Sequence, residues 1–303
     1  MDLLEKFNAV PVKADTGITE ADKRFCEQQQ AAYTAALQGF QELIYFWGDM
    51  LTAQKAVLAK PDSPPRAYNQ YLISDNDDGP KITIQRLRVH INTLHRKFIH
   101  ALTSYFQKTY QISSNESDLL SELLPARTDQ KDISEKQAVK EYLLWASTVH
   151  LRYEDVVASI QERFSGRSFP EQSIYELCSQ CNKAVWCGPS HTAKFERKNA
   201  VISFLDFFCR YQHGHDRWEF RNNMKAVLLC AAHFETGNIG ICPIGFPQPP
   251  FSETFTVNQL ELPGCEKLEQ LRFFKNGRVD LRFSGDSFAD QFLDTYLGRV
   301  YQG

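Results

Sequence analysis

The chain has 303 residues, 43% of them hydrophobic, with 22 Phe, 12 Tyr and 4 Trp. That is enough to bury a full core, and it is the composition of a folded rather than a disordered protein. A net charge of −3 excludes bulk attraction to nucleic acid or anionic membrane, so any such contact needs a local basic face.

No run approaches the roughly 18 apolar residues of a membrane span. The opening MDLLEKFNAVPVKAD lacks the basic and apolar regions of a secretory signal. A cytoplasmic protein with no membrane partner is expected. Eight cysteines in such a chain read as thiols or metal ligands rather than a disulfide framework.

In chain order, residues 19–59 read as one long helix. Thr19 can cap it, and Phe25, Tyr33, Leu37, Phe40, Leu43, Ile44, Trp47 and Leu51 keep helical spacing. The prolines of KPDSPP (60–65) end it. A second helix runs from about 83 to 110, with Ile84, Leu87, Ile91, Leu94, Phe98, Leu102 and Tyr105 as its apolar face. At about 100° per residue, Arg86, His90, Lys97, His100 and Lys108 fall on a narrow stripe opposite. A solvated helix face is the plain reading of that stripe, and a ridge for nucleic acid or a protein partner is the functional one.

Residues 111–132 are polar and read as loop with a short helical piece. SEKQ (134–137) has the form of a capping box and opens a helix expected to continue to about Gly166.

After about 195 the character changes. NAVISFLDFFCRY (199–211) reads as a strand, HGHDRWEF (213–220) as a turn and second strand, and NNMKAVLLCAAHF (222–234) as a helix ended by Gly237. In QLRFFKNGRVDLRF (270–283) two β runs flank Asn276-Gly277, the pair suited to a two-residue type I′ turn. That turn would pair Phe274 with Val279, Arg272 with Leu281 and Gln270 with Phe283. A last helix with Phe288, Phe292, Leu293, Tyr296, Leu297 and Val300 on one side would cover the hairpin.

Two clusters could carry chemistry. CSQCNKAVWCGPSH (178–191) holds Cys178, Cys181, Cys187 and His191, a compact donor set for a structural zinc; Cys209 with His213 or His215 competes for the second pair. Unliganded thiols are the equal alternative. His213, His215, Asp216 and Glu219 could form a metal or acid–base site, as in a metal-dependent nuclease or other hydrolase, but turn-forming polar residues look the same. No P-loop, Gly-x-Ser-x-Gly elbow or His-Glu-x-x-His is present.

LRFFKNGRVDLRFSGDSFADQFLDTYLG (271–298) resembles the end of a domain family of unknown function found in phages, prophages and other mobile elements. Some of its members lie beside toxin–antitoxin genes or are joined to adenine-specific DNA methyltransferases. KFERKNAVISFLDFF (194–208), DRWEFRNNMKAVLLCAAHF (216–234) and ITIQRLRVHINTLHRKFIHALTSYFQ (82–107) are weaker matches in the same order.

The resemblance implies an α+β fold of mobile-element origin and transfers no catalytic residue. It divides the chain into a helical part (1–110), a mostly helical insertion carrying the Cys/His cluster (111–193) and an α+β part (194–303), the first and last forming one fold. Long N-terminal helices would pack on a small antiparallel sheet with its hairpin and closing helix. The expected role is non-enzymatic binding to a host protein or nucleic acid, with counter-defence as one setting and zinc as a brace.

Overall fold

A computed structural model describes residues 17–58, 82–124, 135–187 and 192–298. Those residues form helices α1 (Glu20–Leu58), α2 (Ile84–Tyr110), α3 (Glu116–Leu123), α4 (Glu135–Ala146), α5 (Tyr153–Glu162) and α6 (Phe169–Val185). Short strands β1 (Trp186–Cys187), β2 (Thr192–Ala193), β3 (Phe195–Lys198), β4 (Val201–Phe204), β5 (Cys209–Gln212) and β6 (Arg217–Phe220) follow. Helix α7 (Asn222–Thr236), strands β7 (Thr254–Phe255), β8 (Gln259–Glu261), β9 (Leu268–Phe273) and β10 (Val279–Phe283), and helix α8 (Asp286–Phe292) with a π-helical continuation over Leu293–Leu297 complete the order. The fold is α+β.

Two compact units divide the chain. One takes the described residues of 1–109 and 114–168, the other those of 110–113 and 169–303. Residues 114–168 thus belong with the long helices, and 169–193 with the sheets.

The first unit is helical. Thr19 and Asp22 cap α1 reciprocally: Thr19 Oγ1 accepts from Asp22 N at 3.2 Å, and Asp22 Oδ2 accepts from Thr19 N at 2.9 Å. Helix α2 packs antiparallel to α1 through ring pairs that run in opposite chain directions. Phe25 stacks on Tyr105, Tyr33 on Phe98 and Phe40 on His90, with centroids 3.9, 4.4 and 5.8 Å apart. Past Phe40 the apolar stripe of α1 loses its cover, and Leu43, Tyr45 and Phe46 stand exposed.

The helix expected from 134 to 166 is two helices, broken between Ala146 and Tyr153. Ser147 Oγ and Thr148 Oγ1 turn back to the carbonyls of Leu144 and Trp145, at 2.6 and 2.7 Å, and so offer the chain an alternative to the helical ladder. The first unit's interior then supplies partners for the freed backbone. His95 bonds the Ala146 carbonyl at 2.8 Å, and the Tyr33 hydroxyl accepts from Leu151 N at 3.2 Å. Gln30 accepts from Tyr153 N at 2.7 Å and donates to Leu151 O at 3.0 Å. Ser134, the expected cap, lies outside the described residues.

In the second unit the order β3-β4-β10-β9-β8 makes a five-stranded antiparallel sheet, and β5-β6-β7 a three-stranded one. The strand expected over 199–211 is two strands in different sheets, β4 and β5. The hairpin forms one residue out of the expected register. Val279 faces Phe273, Asp280 faces Arg272 and Leu281 faces Leu271. Phe274 N donates to Arg278 O and Gly277 N to Phe274 O, so the loop has three residues, 275–277, and Gly277 sits at φ 89°. This is a type I turn closed by a left-handed glycine, the commonest alternative to a two-residue turn.

Because side chains alternate along a strand, the one-residue shift exchanges the two faces. Leu271, Phe273, Val279, Leu281 and Phe283 all point inward with Ile202 and Phe204, and all seven are buried. Trp218, Phe220 and Phe255 of the smaller sheet contact Phe273, while Phe234 of α7 and Phe292 of α8 contact Phe283. The closing helix therefore covers the sheet as expected, with α7 beside it. Val300 lies outside the described residues.

Candidate functional site

The basic stripe is in place. Arg86, His90, Lys97, His100 and Lys108 are all exposed on α2, opposite the buried Leu87, Ile91, Phe98 and Leu102. In its 27 residues α2 contains no Asp or Glu, although acidic residues outnumber basic ones in the whole chain. His100 Nδ1 lies 2.7 Å from Glu116 Oε2, and the His90 ring lies against Phe40, so two members of the stripe are anchored by neighbours in the same unit.

The cluster at 213–219 has a different character. His213, His215 and Asp216 are exposed in the turn between β5 and β6. The Asp216 carboxylate accepts the Tyr211 hydroxyl. Glu219 accepts from Gln212 Nε2 at 2.7 Å and pairs with Arg210 at 3.6 Å. Each carboxylate is thus engaged within its own hairpin. The His213 ring meets Tyr211 edge-on at 4.8 Å rather than an acid.

Cys178 and Cys181 stand one turn apart on α6 and are buried in the second unit's core. Cys178 Sγ donates to Thr295 O at 3.5 Å, and Cys230 Sγ of α7 donates to Leu177 O at 3.6 Å. Burial pushes the Cys178 thiol up to about 11 and raises Cys230 as well. Such thiols are protonated and poorly nucleophilic near neutrality.

The Cys187 side chain and His191 lie outside the described residues. Cys209 is buried, its thiol directed at the Phe274 and Arg278 carbonyls at 3.5 and 3.4 Å, whereas its proposed partners His213 and His215 are exposed. Among the described residues no group of three or more His, Cys, Asp or Glu is arranged to hold a metal ion.

A feature that reading the sequence missed surrounds the hairpin tip. Two guanidinium groups lie over the Phe274 ring, Arg278 3.7 Å and Arg272 5.4 Å from its centroid. Lys275 Nζ sits 4.5 Å from the Tyr211 ring. Beside the tip, Phe207 is 68% exposed. The alternation Arg-Phe-Phe-Lys-Asn-Gly-Arg was visible, but the one-residue register error turned Arg272 and Phe274 inward.

No helix of the described residues is long and apolar enough to cross a membrane. No protein-family profile, curated protein or solved structure matches the chain.

Proposed function

We propose that this is a non-enzymatic nucleic-acid-binding protein, an accessory factor of a phage or other mobile element. Its exposed α2 face would meet the phosphate backbone. One observation carries the reading: a 27-residue helix without a single acid presents Arg86, His90, Lys97, His100 and Lys108 to solvent. Cations on one helix face supply the sequence-independent part of nucleic-acid affinity by releasing condensed counterions. Zinc bound at Cys178, Cys181, Cys187 and His191 would brace the fold rather than take part in recognition, since four protein ligands leave no open position. The mobile-element setting, and counter-defence within it, rest on the resemblance of the hairpin and closing helix.

The test is fluorescence anisotropy with a labelled DNA duplex across a salt series. Lys97→Ala with Lys108→Ala is expected to weaken binding at low salt. It is also expected to reduce the slope of log K against log salt by about 0.9 for each phosphate that is no longer neutralised. Binding unchanged by both substitutions would remove α2 as the interface and leave a protein partner as the better reading.

A further inference from the structure

We infer that the hairpin tip of the second unit, with Phe207 beside it, is a binding site for single-stranded nucleic acid, taking a base on the exposed Phe207 ring and phosphates on Arg272, Lys275 and Arg278. This rests on the reading of the protein as a nucleic-acid binder, and it adds which form of nucleic acid is held and where.

Phe207 carries the argument. A large aromatic side chain 68% exposed forgoes most of the burial that would otherwise stabilise it. Its backbone also stands in the left-handed region, at φ 61°, directly after Asp206 at φ 54°. Residues with a Cβ occupy that region only at an energetic cost, because the Cβ crowds the following carbonyl oxygen. The conformation is imposed by the hairpin. Phe208 N and Cys209 N both donate to Gly277 O, at 3.0 and 3.1 Å. The Cys209 thiol completes the attachment at the Phe274 and Arg278 carbonyls. The turn that presents the basic residues therefore also holds Phe207 out into solvent. An outlier held in place by several bonds, and exposing a ring, points to a use for that ring.

The cations around it are suited to the same ligand. Arg272 and Arg278 lie over Phe274, and Lys275 lies over Tyr211. Arg278 also keeps Asp280 at 3.1 Å, and Asp216 holds the Tyr211 hydroxyl, so the patch is not free of acids. Rings alternating with cations, on a projecting turn, match a strand whose bases are unstacked and whose phosphates recur between them. A duplex keeps its base faces covered and offers Phe207 nothing to stack on.

The experiment compares the full chain with Phe207→Asn and Lys275→Ala, using a labelled oligothymidylate of about 15 nucleotides and a duplex of the same length. Asn accepts the left-handed conformation, so Phe207→Asn removes the ring while easing the backbone, and unchanged melting of both variants checks the fold. The expected result is tighter binding of the single strand than of the duplex by the parent. Phe207→Asn should lower single-strand affinity about tenfold, within the range of one base stack, and Lys275→Ala should reduce the salt slope by about 0.7.

Tip variants that bind both oligonucleotides as the parent does would overturn this inference and leave the α2 reading standing. Weaker binding by Lys275→Ala together with parental binding by Phe207→Asn would reduce the tip to a patch of charge, which also overturns it. If neither oligonucleotide binds at low salt, both readings fall.

Discussion

Gly277 meets two demands at once. Its φ of 89° closes the three-residue turn, and its bare Cα lets residues 207–209 lie against the loop. A Cβ there would come within 2.9 Å of Phe207 N and 3.4 Å of Cys209 O. Both obstacles are backbone, which cannot rotate aside as a side chain can. Gly277→Ala is accordingly expected to destabilise the protein by more than about 1 kcal/mol, seen as a lower urea midpoint with an unchanged m value. A neutral result would mean that the loop and the 206–209 segment are not held together as described. Asn276 contributes differently: its side chain accepts from Arg278 N at 3.2 Å. The Asn-Gly pair was legible in the sequence as a turn. Which turn it makes is not legible in the pair itself, because both loop lengths use glycine at positive φ and only the pairing beyond the loop separates them.

At the scale of elements, the hairpin register decides which side chains form the core. In the observed register Leu271 is buried and Arg272 is exposed; in the two-residue-turn register they exchange. Leu271→Ala is therefore expected to cost about 2–5 kcal/mol and Arg272→Ala less than about 0.5 kcal/mol in denaturant melts. The reverse order would favour the other register.

The sequence contained the means to choose. The observed register faces Leu271 and Phe273 with Leu281 and Val279, whereas the other mixes Arg272 and Gln270 into the apolar face. Helix α6 was missed for a related reason. Ile174, Leu177, Cys178, Cys181, Ala184 and Val185 keep helical spacing, but only if the cysteines are counted as small apolar residues rather than as ligands. The break between Ala146 and Tyr153 was out of reach, because its backbone groups are satisfied by Gln30, Tyr33 and His95, between 51 and 123 residues away. Long periodic helices, the α2 stripe and the closing helix could be read because period alone specifies them. Partners distant in sequence could not.

At the scale of the whole molecule, each unit holds a histidine whose pKa burial lowers, His95 fully buried and His233 half-buried. His95 of the first unit is fully buried between the Tyr33 hydroxyl, 2.9 Å from Nδ1, and the Ala146 carbonyl, 2.8 Å from Nε2. The carbonyl can only accept, so Nε2 carries the proton and Nδ1 accepts from Tyr33. Desolvation holds this imidazole below its ordinary value of 6.5 against the pull of the carbonyl, and His150 adds to the effect. His233 of the second unit sits 2.6 Å from the Tyr296 hydroxyl and is lowered in the same direction, first by burial and then by Lys267.

In the unfolded chain both rings titrate near 6.5, so below that pH the unfolded state binds protons that the folded state refuses. The stability they contribute is present above 6.5 and is lost as the pH falls towards their folded values. Glu122, held low by Ser159 and Arg163, starts from an ordinary value of 4.5, so its titration lies below this window. Thermal melts at pH 7.5 and 5.5 are thus expected to show a lower midpoint at 5.5. His95→Gln and His233→Gln should each shrink that difference, whatever they do to the midpoint at pH 7.5. A midpoint that holds or rises on acidification would show that the two imidazoles are not held below their ordinary value in the folded protein.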